Sequence, residues 1–204
     1  CSATNTVTLG NVPQAISATL TIVDQSNCTP DLNGSATIAT VTVNGVALGA
    51  VPSSGYTYDW DNDVAFGSID QTGTTASYAS LAAGTYYLRV TNDDSQCASN
   101  PIQFIIDDIT VNPTVAIAVD AADTSCGGTN DGQLTANAGA GHTYEWFTGT
   151  TAGAAGTGFA TTATISGLAA GDYTVRATDN AGASTNCSAT NTVTLGNVPQ
   201  AISA

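Results

Sequence analysis

Residues 80–93, SLAAGTYYLRVTND, put Tyr86, Leu88 and Val90 on one face of an extended segment and Arg89 on the other. A period of two with one apolar face is the pattern of a β-strand that covers a core on one side. Upstream, residues 55–60, GYTYDW, set Tyr58 and Trp60 on a common face, and Ile16, Ala18, Leu20 and Ile22 alternate in the same way. No segment keeps a convincing 3.6-residue period. Short alternating runs separated by Asn-Gly, Asp-Gly and glycine-rich turns at about ten-residue spacing predict an all-β fold, an immunoglobulin-like β-sandwich.

The same signals return in a second, diverged copy. Residues 167–180, GLAAGDYTVRATDN, match 80–93, and 141–146, GHTYEW, match 55–60. Cys28 with Gly34 six residues later corresponds to Cys126 with Gly132. Strands are expected near 14–24, 34–43, 55–61, 74–79, 84–92 and 101–110 in the first domain, and near 114–120, 132–137, 142–147, 160–166, 171–178 and 189–195 in the second. Asn44-Gly45 adds a turn suited to an extra hairpin in the first. Tyr58, Trp60, Tyr86, Tyr144, Trp146 and Tyr173 are expected in the cores rather than on a sugar-stacking platform, because their even spacing on strands turns them toward the opposite sheet.

On a longer scale, residues 1–18, CSATNTVTLGNVPQAISA, recur letter for letter as 187–204. A sequence that re-enters its own beginning reads as one period of a tandem array plus an overlap, a window from something longer. The expected organisation is therefore the last strand of a preceding repeat at 1–12, sandwiches at 13–111 and 112–197, and the first strand of the following repeat at 198–204. This is a linear array of tandem immunoglobulin-like (PKD/fibronectin-like) domains.

Composition bounds the function. Of 204 residues, 42% are hydrophobic, enough for ordinary cores, and a net charge of −14 arises from sixteen acids against two arginines. Nucleic acid and anionic membranes call for clustered Lys and Arg, so neither is expected as a partner. No apolar run approaches the roughly 18 residues of a membrane helix, so no membrane insertion is expected. Five cysteines without CxxC spacing or histidine partners read as oxidised pairs, which places the chain outside the cytoplasm, in an extracellular or cell-surface setting.

The succession Y-x-Y-x-W, then L-A-A-G-x-Y, a turn rich in Asp and Asn and a Cys, spans both domains and resembles the SprB-type repeat of Bacteroidota gliding-motility and giant cell-surface adhesins. Residues 60–63, WDND, and 146–149, WFTG, both depart from that family's W-S-N-G turn. The resemblance implies an exported surface filament, carried by a type IX route, that touches substrata or polysaccharide.

Cys28 and Cys126 fall in the turn after the first strand of each domain, and Cys97 and Cys187 between the last two strands. In immunoglobulin topology these turns lie at opposite poles of one sandwich, roughly 20–25 Å apart along strands of six to eight residues, whereas a disulfide needs Cα atoms within about 7 Å. Domains stacked head to tail would instead bring Cys28 to Cys187, leaving Cys97, Cys126 and Cys1 for partners in adjacent repeats. Pairing within domains, Cys28 with Cys97 and Cys126 with Cys187, is the other reading.

Asp59 and Glu145 occupy matching outward positions opposite Arg89 and Arg176, which predicts exposed cross-strand pairs that set register. Asp59, Asp61, Asp63 and Asp70 imitate the spacing of a calcium loop, weakly, because Val64 stands where such a loop has glycine. A solvated acidic turn is the simpler reading, and no other metal or cofactor is implied. His142 is the only histidine, and neither HExxH nor GxSxG is present, so the chain is not expected to be an enzyme. The functional expectation is a structural or adhesive repeat unit of an extracellular filament, with adjacent copies of itself as partners and surface polysaccharide as a further one. A polysaccharide-binding or spacer module of a secreted protein, and a fibre subunit polymerised by strand exchange, are the alternatives.

Overall fold

In the computed structural model, which describes residues 1–7 and 13–198, the period-two segments are strands and no helix occurs among the described residues. The chain divides into two units. One comprises Cys1–Gln25 and Asn33–Asp108, the other Ser26–Leu32 and Ile109–Ala204. The division falls a few residues before the expected boundary near 112. The loop Ser26–Leu32 leaves the first sequence repeat to join the second unit.

The first unit holds β1 (Ile16–Val23), β2 (Gly34–Val43), β3 (Val46–Ala47), β4 (Tyr56–Asp61), β5 (Gln71–Gly73), β6 (Ser77–Leu81), β7 (Gly84–Asn92) and β8 (Ile102–Ile106). One antiparallel sheet runs β1-β2-β3 with β6 also paired to β2, and the other runs β5-β4-β7-β8. Asn44 and Gly45, both with positive φ, close the expected hairpin in which Val43 faces Val46. In the second unit, β9 (Ala116–Ala121), β10 (Gly132–Asn137) and β12 (Thr164–Leu168) form the sheet β12-β10-β9, and β11 (His142–Thr148), β13 (Gly171–Asp179) and β14 (Ser188–Leu195) form β11-β13-β14. Each unit is an immunoglobulin-like β-sandwich. Each also carries a parallel bridge between the end of its first strand and the end of its last, Gln25 to Asp108 and Asp123 to Asn197.

The cores lie between the sheets. In the first, Ile38 and Val41 from one sheet meet Tyr58, Trp60, Leu88 and Val90 from the other. In the second, Leu134 and Ile165 meet Trp146, Val175 and Leu195. Each indole N–H finds a carbonyl, Trp60 donating to Thr75 at 3.3 Å and Trp146 to Thr162 at 2.9 Å. Those carbonyls go with the later start of β6 and β12 than the expected 74 and 160: Thr75 and Thr162 face the tryptophan, and the bonds to β2 and β10 begin only at Ala76 and Ala163. The short edge strand β5 was not expected, since its three residues carry no alternation to detect.

Tyr86 and Tyr144 pack against the cores as expected but are only half-buried. Their hydroxyls account for it, because a phenol that must reach the backbone sits at the core's margin. Tyr86 donates to the Ala82 carbonyl at 3.0 Å, and Tyr144 accepts the Ala138 N–H at 2.9 Å. Buried Tyr173 donates to Ala169 at 2.9 Å. In both repeats L-A-A-G-x-Y thus encodes a tyrosine that ties the start of its strand to the corner four residues upstream.

With little charge available, hydroxyls line the sheet faces. Ser17 pairs with Thr42 and Thr19 with Thr40, each at 2.6 Å, and Thr174 with Thr192 at 2.8 Å. Residues 1–7, expected as part of a strand, are exposed and unpaired as strand, although their identical copy enters β14. The difference is the partner: β14 lies against β13 over its full length, and among the described residues no strand offers that ladder to residues 1–7. Residues 8–12 and 199–204 of the expected flanking strands lie outside the described residues.

Two glycines set the spacing of the sheets. A Cβ on Gly34 would lie 2.5 Å from the Leu81 carbonyl oxygen and 2.7 Å from an Ile106 methyl; on Gly132 it would lie 2.5 Å from a Leu195 methyl and 2.7 Å from the Leu168 oxygen. Backbone cannot yield as a side-chain tip can. Gly132→Ala is therefore expected to cost about 1–3 kcal/mol through overpacking, read as a lower denaturant midpoint with an unchanged slope, while Gly128→Ala, which meets nothing within 4 Å, leaves the midpoint near wild type.

Candidate functional site

Two features recur in both sequence repeats and stand apart from the packing: a cysteine-bearing pair of loops and a covered arginine. Cys28 and Cys187 form a disulfide with Cα atoms 4.9 Å apart, joining positions 159 residues distant in sequence. Around it the Cys28 N–H donates to the Thr185 carbonyl at 2.8 Å, and the Asn186 amide donates to Asp31 at 2.8 Å. Val111 N–H adds a bond to Ser184 Oγ at 3.0 Å. Cys187 is fully buried, so the bond is sheltered from solvent. Cys1 and Cys126 are exposed thiols and Cys97 a partly exposed one. The pairings Cys28–Cys97 and Cys126–Cys187 are absent, since Cys28 and Cys187 are bonded to each other.

The arginine sites follow from strand register. Asp59 faces Arg89 across β4 and β7, and Glu145 faces Arg176 across β11 and β13. The ion pairs close at 2.9 Å and 3.1 Å. Both expected pairs form, but neither is an exposed surface pair. The Asp59 side chain keeps 9% of its exposure and Glu145 15%, because the loop after each strand folds back over this face. In the first unit Phe66, at a positive φ, lays its ring 4.5 Å from the Arg89 guanidinium. In the second the ring is Phe147, on β11 itself, 5.1 Å from that of Arg176. Asp61 occupies the first-repeat position equivalent to Phe147, so one aromatic lid is supplied from two different places in the sequence. Loop and edge-strand groups complete the seal: Gly158 N–H donates to Glu145 at 2.8 Å, Arg176 donates to the Gly153 carbonyl, and Thr72 on β5 donates to Asp59 at 2.5 Å.

The four acids of the calcium-like spacing do not converge. Asp59 is held by Arg89 and Thr72, and Asp63 accepts the Ala65 N–H. Asp70 accepts from Asn62 N–H and the Tyr78 hydroxyl, and buried Asp61 accepts the Asp63 N–H through one oxygen while the other has no partner. Among the described residues no group of three or more His, Cys, Asp or Glu side chains could hold a metal ion. Short turns consume these carboxylates locally. His142 places Nδ1 3.0 Å from the Ala140 carbonyl. Among the described residues the one exposed aromatic ring is Phe159.

No protein-family model matches the chain, and no curated protein matches it. Among solved structures it is similar to the three N-terminal domains of the highly immunogenic outer capsid protein of bacteriophage RB49, at 18% identity and a TM-score of 0.39, covering 89% of this chain and 58% of that one. It is also similar to fibronectin(III)-like modules of Clostridium thermocellum CbhA, at 13% identity and a TM-score of 0.30, covering 88% of this chain and 94% of that one.

Sequence reasoning found the ion pairs and missed their lids. A partly buried charge that loses its partner costs more than an exposed one. Arg176→Ala is expected to destabilise the second unit by about 2–3 kcal/mol in chemical denaturation, well above the ~1 kcal/mol ceiling of an exposed pair, with Arg176→Lys falling between. Acid acts on the same unit through other carboxylates. Backbone N–H groups of Gly182 and Ala181 hold the Asp179 carboxyl below its ordinary value, and the Ser125 hydroxyl and N–H do so for Asp123. Since folding depresses both, their contribution is present above the ordinary carboxylate pKa of about 4 and fades as pH falls through the folded values. Melting temperature should therefore drop on acidification below about pH 4, and Asp179→Asn should flatten that part of the profile.

Proposed function

We propose that the chain is a repeat unit of an extracellular structural or adhesive filament, in which successive β-sandwiches of a long tandem array are tied to one another by disulfides. The observation that carries this reading is the Cys28–Cys187 bond: a loop that the chain order places between β1 and β2 of the first sandwich is covalently part of the second unit. Within that unit the bond holds a segment of the earlier sequence repeat. It also belongs to an oxidising compartment, outside the cytoplasm. The letter-for-letter recurrence of residues 1–18 at 187–204 supplies the tandem element. The surface palette of Thr, Ser and Asn, with its net charge of −14, suits a soluble exterior that repels copies which should not associate.

The likeness to SprB-type repeats narrows the proposal to a cell-surface adhesin of the gliding-motility kind, mechanical and not catalytic. Strand exchange remains a second reading on one specific observation: residues 1–7 carry the sequence of β14 yet pair with no strand among the described residues. Sugar binding is less favoured, since the tryptophans are sealed inside.

Immunogold electron microscopy of the native cells, using antibody to this chain, tests the reading. Labelled surface fibres are expected, whose denatured and reduced mass is that of one very long chain. A reduced mass of a single repeat would support strand exchange, and a soluble monomeric secreted protein would overturn the filament. In the isolated chain, Cys28→Ser is expected to lower the stability of the second unit by up to about 5 kcal/mol, the chain-entropy value for so long a loop, measurable as a lowered unfolding midpoint that reductant reproduces in the wild type.

A further inference from the structure

We propose that Cys126 of one period and Cys97 of the period that follows it form a second disulfide, equivalent to Cys28–Cys187, so that the partner of both exposed thiols is an adjacent copy of this chain. The inference rests on the tandem reading given above and names the partner that reading leaves open.

The argument is geometric. Cys97 and Cys187 are presented by turns closed by the same pair of backbone hydrogen bonds, the second turn three residues longer than the first. The residue before each lies in the left-handed region, Gln96 at φ 56° and Asn186 at φ 65°. Gln96 N–H donates to the Asn92 carbonyl at 2.8 Å and Asn186 N–H to that of Asp179 at 2.7 Å. The return bonds also match, Asn92 to Cys97 and Asp179 to Cys187, both at 2.9 Å. A turn held by two backbone hydrogen bonds and a positive φ aims its cysteine in a defined direction, and in Cys187 that direction leads to a bonded sulfur.

The opposite loops correspond equally well. Cys28 and Cys126 each stand three residues beyond a parallel bridge, in which Gln25 N–H donates to Asp107 at 3.0 Å and Asp123 N–H to Gly196 at 3.1 Å. Six residues after each cysteine comes the glycine, Gly34 or Gly132, that packs against the carbonyl of Leu81 or Leu168. Both ends of each loop are thus anchored alike, and the loops have equal length. The bonded pair takes its first cysteine from the earlier sequence repeat and its second from the next, both within the second unit. Carried one domain further, that rule joins Cys126 to Cys97 of the following period. The same rule assigns Cys1, the repeat equivalent of Cys187, to Cys28 of the period before.

The bond forms by thiol–disulfide exchange with a small-molecule disulfide such as oxidised glutathione. The Cys97 thiolate attacks one glutathione sulfur and expels a glutathione thiolate. The Cys126 thiolate then attacks the Cys97 sulfur of the mixed disulfide and expels the second. Two cysteine thiols lose two protons and two electrons, and two glutathione thiols gain them. Contacts with the Gln14 backbone and the Ser95 hydroxyl hold the Cys97 thiol below its ordinary pKa, which suits it to the first attack.

The test is non-reducing peptide mapping of a chain in which two periods are fused head to tail, folded in a glutathione redox buffer and alkylated before digestion. In that chain Cys187 of the first period is also Cys1 of the second. The expected map shows Cys28–Cys187 in both periods and Cys126 of the first joined to Cys97 of the second, with Cys1 and Cys97 of the first and Cys126 of the second alkylated. Cys126→Ser in the first period should expose Cys97 of the second to alkylation and leave the other bonds in place. If both Cys28–Cys187 bonds form while Cys126 of the first period and Cys97 of the second are alkylated, the inference is overturned and the array reading survives. If Cys28–Cys187 is itself missing, both fall.

Discussion

Two facing sheets leave a slot about 10 Å deep, and in each unit one tryptophan fills its middle. Trp60 and Trp146 are fully buried, with the indole nitrogen tied to a carbonyl on the chain leading into β6 or β12. Burying roughly 200 Å² of ring at about 25 cal/mol/Å² contributes on the order of 5 kcal/mol per tryptophan, more than the loss of either covered ion pair is expected to cost. That demand propagates outward. The slot must be wide at the indole and narrow at its end, where Gly34 and Gly132 admit a carbonyl and a methyl that no larger residue could meet. The strand after the tryptophan must delay its start to offer the carbonyl, and the tyrosine of L-A-A-G-x-Y must hold the returning corner.

Much of this was legible before any coordinates, because alternation records directly which side of a strand meets the core. The strands around Tyr58, Trp60, Leu88 and Val90 lie where the pattern placed them, and the register that opposes Asp59 to Arg89 and Glu145 to Arg176 follows from the matched repeats. Illegible were the segments whose conformation depends on what they cover. Residues 62–70 and 149–158 carry no period, yet they fold back to shield an arginine, and one repeat uses Phe66 where the other uses Phe147. An alignment of the two repeats sets Asp61 against Phe147 and so hides the functional match of the two rings. The acids at Asp61, Asp63 and Asp70 illustrate the converse, since a spacing that suits calcium also suits successive turns that accept backbone N–H groups.

Residues 1–7 and 187–193 show how far sequence alone can go. Their letters are identical and their structures differ, because strand formation is a property of a pair. The local preference is satisfied only where β13 provides the ladder.

The Cys28–Cys187 bond closes a ring of the main chain spanning 159 residues, roughly 500 Å of fully drawn-out polypeptide at about 3.3–3.6 Å per residue. Tension applied to the chain on either side of this ring is transmitted through the sulfur atoms, so the enclosed length cannot be paid out even if its sheets come apart. The strands inside the ring, β2 to β13, can then separate without adding their contour to the length of the molecule. Reduction releases that reserve, which makes extensibility a variable set by redox conditions while the folded contacts stay the same.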